Sequence, residues 1–211
     1  MAATGAIISG SAALALLHHQ VFSPHDLDFY VLQDGYVSLL EFVQHHGYRT
    51  EANCGIPVAC EKDAAPVQRL VHLQSKKEIK IVTILAQHVV QGITNFHSSL
   101  VMNYIAWYGI VSLYPEWTLA KKGLIVKDTS KTLQCFEKYK TRGFTVDRNN
   151  TVLDDTDYEH WCEMTPDCPN TCRNLLDGYC FFVSFVDLDG DLEEFERPMS
   201  WSLSVPCSYA L

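Results

Sequence analysis

Ile7-Ile8-Ser9-Gly10-Ser11-Ala12-Ala13-Leu14 and, eleven residues later, Asp26-Leu27-Asp28-Phe29-Tyr30-Val31 decide how this chain is read. An apolar strand runs into Gly-Ser, a short apolar segment follows, and a second strand carries two carboxylates at i and i+2. Side chains at i and i+2 of a strand project from one face. Asp26 and Asp28 can therefore converge on a hard divalent cation, which takes oxygen ligands. Gly10 lets the backbone approach a phosphate closely, and Ser11 brings a hydroxyl and an N–H to a helix start, where anions are favoured. Gly-Ser alone is a common turn, and Asp-x-Asp alone is a common solvated strand end. Their order, strand to Gly-Ser to helix to strand with Asp-x-Asp, points to a site for a metal–triphosphate complex.

This combination resembles the polymerase-beta-like nucleotidyltransferase superfamily. That family's signature is an apolar strand ending in Gly-Ser, Asp-x-Asp or Asp-x-Glu on the next strand, and a third carboxylate on a later strand. Ser9-Gly10-Ser11-Ala12-Ala13-Leu14, Asp26 to Val31, Phe96-His97-Ser98-Ser99 and Cys168-Pro169 look similar to a divergent fungal branch of it, with the specific likeness confined to residues 5–120. The resemblance implies an α+β fold, a nucleotidyltransferase-like mixed sheet flanked by helices. It implies a nucleoside triphosphate held at Gly10 and Ser11. Mg²⁺ or Mn²⁺ would sit on Asp26 and Asp28, which would also be the catalytic residues. The reaction implied is transfer of a nucleoside monophosphate to a small-molecule or protein hydroxyl, with the acceptor unidentified. The family often carries a helix before its first strand. Only Met1–Thr4 precede it here, which leaves a truncated chain and a late start both open.

The third carboxylate is where the chain departs from the pattern. The family places it after a hairpin turn, in an apolar, Asp, apolar, apolar run. The matching segment is Ile79-Lys80-Ile81-Val82, with Lys80 at the acidic position. Three carboxylates hold the cations that activate an attacking hydroxyl and stabilise a leaving phosphate. A lysine instead offers an ammonium, a point charge suited to phosphate. Lys80 therefore reads either as a nucleotide-phosphate contact or as a solvated strand residue, and Glu78 is the alternative carboxylate. Two functions stay open: an active transferase, and a catalytically inactive binding or regulatory module. A third is a zinc-stabilised interaction domain.

Composition narrows the class. The chain has 211 residues, 47% of them apolar, and a net charge of −9 from 25 acidic and 16 basic residues. An acidic protein gains little from counterion release, which argues against a long nucleic-acid partner. No apolar run approaches the roughly 20 residues of a membrane helix, so no membrane partner is expected. The N-terminus lacks the basic region of a secretory leader. The chain reads as intracellular, cytoplasmic or nuclear. In that setting its eight cysteines are thiols or metal ligands rather than disulfides.

Periodicity and punctuation place the elements. Strands are expected at Thr4–Ser9, Leu27–Leu32, Tyr48–Asn53, Val67–Gln74 and Glu78–Leu85, the last two joined at Lys76-Lys77. Helices are expected at Ser11–His19, Tyr36–His46 closed by Gly47, Gln87–Asn95, and Lys131–Arg142 closed by Gly143. Asp34-Gly35 reads as a turn, Cys54 to Pro66 as a loop, and Thr118–Lys122 as a loop. Ser99–Leu113 fits a helix through Val101, Tyr104, Ile105 and Tyr108, while Val111–Tyr114 fits a strand ended by Pro115. Strands and helices mix without regular alternation, which indicates α+β with a mixed sheet. The organisation expected is a core over 1–146, an acidic linker over 147–157, and a cysteine-rich extension over 158–211 packing on the core.

In that extension Cys162, Cys168, Cys172 and Cys180 are spaced x5, x3 and x7. These are not the close pairs of a strong zinc signal. Zinc, with His160 as an alternate ligand, buried thiols and disulfides all remain open. Cys54, Cys60, Cys135 and Cys207 read as scattered thiols. Arg173 faces two uses, a nucleotide contact or an ion pair with Asp177. His25 adjoins Asp26 and is a candidate to tune the metal site, while most other histidines read as structural. Trp107, Trp117, Tyr104 and Tyr108 read as core.

Overall fold

Alternating apolar positions on two adjacent strands explain why this chain builds a sheet covered on both faces. In the computed structural model, which describes residues 1–19, 21–50, 64–127, 129–147, 162, 165–186 and 191–203, the elements follow in this order. They are β1 (Ile7–Ser9), α1 (Ser11–Leu17), β2 (Asp26–Leu32), α2 (Gln33–His45), β3 (Tyr48–Thr50), β4 (Ala64–His72), β5 (Glu78–Ile84), α3 (Gln91–Thr94), β6 (Asn103–Ile105), β7 (Gly109–Ser112), α4 (Pro115–Leu119), β8 (Lys122–Leu124), α5 (Ser130–Lys140), β9 (Thr145–Asp147), β10 (Arg173–Asn174), β11 (Phe181–Ser184) and β12 (Ser200–Trp201). Beyond Asp147 the expected linker lies outside the described residues, as do Cys54, Cys60, His160, Cys207 and most of the Cys54 to Pro66 loop.

An eight-stranded sheet runs β11-β7-β6-β1-β2-β5-β4-β3. Its β2–β5 pair is parallel, with Asp28 opposite Lys80, and its other neighbours are antiparallel. Two parallel neighbours need a crossover connection. Here α2, β3 and β4 supply it. The result is a mixed α+β architecture, a large mixed sheet flanked by helices.

The faces are divided by side-chain alternation. Ile79 and Ile81 of β5 pack with Val31, Leu39, Val43 and Leu70 under α2. Val82 and Ile84 point the other way, into a cluster with Tyr104, Val111, Trp117 and, from the far end of the chain, Leu192, Met199, Trp201 and Leu203. A third cluster joins Leu14 of α1 to Phe136 and Tyr139 of α5, with Leu100 and Val146. The segment after residue 165 thus contributes an edge strand to the main sheet and residues to its largest core.

Several expectations changed. Ser99–Leu113 is not a helix. A single 3-10 turn, Ser99–Val101, leads into the β6–β7 hairpin. Both faces of these strands are buried, so their apolar residues form a continuous run that periodicity alone cannot separate from a helix. Asp34-Gly35 belongs to the first turn of α2 instead of forming a separate turn before it. Glycine is required at position 35 because a Cβ there would stand 2.2 Å from the Thr4 carbonyl oxygen. Pro115 opens α4 instead of merely ending a strand, which suits its fixed φ. The expected helix Gln87–Asn95 is reduced to Gln91–Thr94. Trp107 is half exposed, whereas Trp117, Tyr104 and Tyr108 are buried.

Gly47 and Gly143 stop their helices at φ +88° and +80°, the left-handed region that glycine enters without a Cβ clash. At the start of α5, Thr129 and Thr132 exchange side-chain-to-backbone hydrogen bonds of 3.3 and 2.8 Å. This is a capping box that satisfies two otherwise orphaned N–H groups.

Candidate functional site

The Gly-Ser turn and the two carboxylates do meet. β1 pairs with β2 so that Ser9 lies opposite Asp28. Gly10 follows at φ +69° and starts α1, whose first residue, Ser11, is buried. A Cβ on Gly10 would come within 3.2 Å of Asp28 Oδ2. Ser9 turns its own hydroxyl to the Asn103 carbonyl at 2.5 Å, which pins the end of β1 to the neighbouring strand. The backbone of Gly10 is therefore packed against one carboxylate of the pair.

Lys80 comes from β5, where the parallel register sets it beside Asp28. Its ammonium donates a hydrogen bond to Asp26 Oδ2. It also lies 3.4 Å from Asp28 Oδ1 and 3.9 Å from Glu78 Oε1. Glu78 is held from its other side by Arg69. Lys80 is thus not a solvated strand residue. It is held inside the acidic cluster, where it acts as the counter-ion of Asp26 and Asp28.

The electrostatics follow from that placement. Burial pushes Asp26 upward, but the hydrogen bond and charge of Lys80, helped by Lys138, bring it below the ordinary carboxylate value. Burial raises Asp28 above that value, and Lys80 offsets only part of the effect while Asp26 adds to it. For Lys80, burial acts downward and is outweighed by Asp28, Asp26 and Glu78, so its pKa is raised and it stays charged. Asp28 Oδ1 is buried without a hydrogen-bond partner, its approach to Lys80 being too oblique. Lys138 of α5 was not singled out in the sequence. It lies three residues after Cys135 on an amphipathic helix, and only the fold brings it near the Asp pair.

The donor set can be tested against a divalent cation. Asp26, Asp28 and Glu78 offer the hard oxygens that Mg²⁺ or Mn²⁺ takes. An ammonium already stands among them and repels a divalent ion brought onto the same carboxylates. Among the described residues no group of three or more His, Cys, Asp or Glu side chains is arranged to hold a metal. With Lys80 in this position, the residues do not fit a resident divalent ion. His25 is exposed and has no contact with this cluster that marks it as a tuning residue.

The cysteines do not form a site either, among the described residues. Cys168 is buried, Cys172 is exposed, and Cys162 and Cys180 are half-buried. Burial pushes the Cys180 thiol up to about 12 against the pull of Arg173. Arg173 itself is 1% exposed. It grips Asp177 through Nε at 2.5 Å and a second nitrogen at 3.2 Å, and donates to the Pro166 carbonyl at 3.1 Å. That is an ion pair holding a loop.

The chain matches no family model and no curated protein sequence. Among solved structures it is similar to a tRNA-processing enzyme (apo form I), at 13% identity and a TM-score of 0.49, over 68% of this chain and 39% of that one. The chain spans about two-fifths of that enzyme's length. A likeness of this size bears on neither activity nor substrate. No described helix is long and apolar enough to cross a membrane.

Proposed function

We propose that this chain is a nucleotidyltransferase-like binding module that has exchanged the catalytic metal for its own lysine and does not transfer nucleotides. The observation that carries this reading is the Lys80 ammonium bonded to Asp26 and lying 3.4 Å from Asp28. A polymerase-beta-like ancestry accounts for the strand–Gly-Ser–helix–Asp-x-Asp order and for the strand that sets Lys80 beside the pair. Transfer requires a cation that lowers the acceptor's pKa, and an ammonium cannot supply that chemistry.

What remains suits a phosphate-bearing ligand. Lys80, Arg69 and Lys138 balance Asp26, Asp28 and Glu78, so a nucleoside triphosphate approaches without the repulsion of two bare carboxylates. Gly10 admits close backbone approach, and the first turn of α1 leaves backbone N–H groups unused by the helix. Asp26 and Asp28 then serve to position Lys80.

One observation favours the active alternative. Asp28 Oδ1, buried and ion-paired with Lys80 but without a hydrogen bond, is the kind of atom a cation would satisfy, if Lys80 swung away when Mg²⁺ arrived with the nucleotide. Calorimetric titration of each nucleoside triphosphate, in EDTA and then in Mg²⁺, separates the two. Binding that is equal in EDTA and Mg²⁺, with no pyrophosphate released, is the expected result. Binding that requires Mg²⁺, is lost in the Asp26→Ala, Asp28→Ala double variant and releases pyrophosphate selects the transferase. No binding by folded protein overturns both.

A further inference from the structure

The end of the sheet opposite the Asp pair holds a second polar centre. β2 runs from Asp26 to Leu32, about 20 Å at roughly 3.3 Å per residue, and Leu32 borders a pocket of about 210 Å³. Gly5, Ala6, Ile7, Leu32, Val89 and Ala106 give it an apolar lining. Its polar contributors are Gln87, His88 and Glu196, and its aromatic ones are Trp107 and Tyr108.

Glu196 is the centre of this arrangement. The Tyr104 and Tyr108 hydroxyls both donate to its Oε1, Tyr104 at 2.9 Å. His88 Nε2 lies 3.0 Å from its Oε2. His88 Nδ1 accepts the Val90 backbone N–H at 3.2 Å. With Nδ1 accepting, Nε2 is the nitrogen that donates to Glu196. The tyrosines are neutral donors, since burial and the charge of Glu196 both hold their hydroxyls far above the phenol range. Among the described residues Glu196 is thus held by two tyrosine hydroxyls and one imidazole, with no lysine or arginine beside it.

An ionised carboxylate has about four lone-pair positions, and three are filled here. The fourth, on Oε2, has no partner among the described residues and faces a donor entering the pocket. A carboxylate served only by hydroxyl and imidazole donors favours a cationic donor at its remaining position. Trp107, 47% exposed and lining the same pocket, offers the indole surface to which cations bind best. A pocket of about 210 Å³ admits a short alkyl chain.

We propose that this pocket binds a small primary alkylammonium, its N–H donated to Glu196 Oε2 and its alkyl stem lying against Val89, Ala106 and Trp107. The site is independent of the Asp26–Lys80 cluster and of the function proposed for it.

The test is calorimetric titration of the whole protein with n-butylammonium, and with 1-butanol as its uncharged match. Three proteins are compared: wild type, Glu196→Gln, and Gln87→Lys. The last places a fixed ammonium at an exposed position on the rim and should leave folding intact. Saturable n-butylammonium binding to wild type is expected, weakened about tenfold or more in each variant, with 1-butanol weaker by a similar factor. Absence of saturable binding by folded wild type overturns the proposal. So does equal affinity for 1-butanol, or unchanged affinity in folded Gln87→Lys together with folded Glu196→Gln.

Discussion

Replacing Lys80 with methionine should make the stability of the protein depend on divalent cations. Methionine keeps the length of the apolar stem but leaves Asp26, Asp28 and Glu78 without their shared ammonium. Lys80 is 32% exposed and the two aspartates 24%, so the interaction lies between two regimes. Exposed pairs contribute under about 1 kcal/mol, and breaking buried ones costs about 3–5 kcal/mol. A loss of about 2 kcal/mol at pH 7 is expected, in keeping with one charge-assisted hydrogen bond. The pH window can be stated as well. Asp26 titrates below its ordinary 3.8 when folded, so the stability it draws from Lys80 is present above that value and lost as pH falls through the folded one. Lys80 titrates above its ordinary 10.5, so its share is whole below that and lost as pH rises further. Asp28 titrates above its ordinary value, and higher still without Lys80, so the difference between wild type and variant should be flat only from above the Asp28 titration up to the Lys80 limit, and close outside that window. Urea unfolding in EDTA and in Mg²⁺ measures it. In the variant the freed carboxylates can take the ion, and Mg²⁺ at a hundred times its Kd would restore about 2.7 kcal/mol. Wild type should show no such gain. Equal stabilisation of both proteins by Mg²⁺ would refute the idea that Lys80 holds the cation's place.

Gly10→Ala should cost about 1–2 kcal/mol, from a left-handed φ of +69° and a Cβ set 3.2 Å from Asp28 Oδ2; an unchanged thermal midpoint would contradict the packing described. His97 is pushed down to about 4 by burial, aided by Lys127 and Lys138. The unfolded chain therefore binds the proton more readily, and stability should fall as pH drops from 6.5 toward 4. The fall should reach about 3 kcal/mol, and unfolding of His97→Phe across that range should lack most of it. Arg173→Met strands Asp177 and should cost about 3–5 kcal/mol, read as a drop in the urea midpoint with little change in slope.

The sequence was most legible where a signal was local. The Lys76-Lys77 turn, with Lys76 at φ +58°, and the helix stops at Gly47 and Gly143 rest on neighbouring residues, and so does the shared face of Asp26 and Asp28. The mixed α+β class followed from these. Legibility failed where burial on both sides erased the period, as in the β6–β7 hairpin, and where a distant atom decided the backbone, as the Thr4 carbonyl does for Gly35. The candidate site shows the same division. That Lys80 departs from an acidic pattern is visible at once. That its ammonium reaches Asp26 depends on the parallel register of two strands 54 residues apart. The Glu196 centre draws on His88, Tyr104 and Tyr108, and no spacing in the chain relates them.

The edge strand β11 has a consequence for the order in which the molecule is made. It pairs with β7, about 70 residues earlier, and the largest core waits for Trp201 and Leu203. During synthesis the N-terminal strands emerge with one wall of that core missing and the β7 edge open. A nascent chain halted near residue 150 would carry unpaired backbone and bare aromatic surface, the features that attract chaperones and promote association with other chains. Glu196, accepting from Tyr104 and Tyr108 across some 90 residues, closes that interval only once residue 196 has been made.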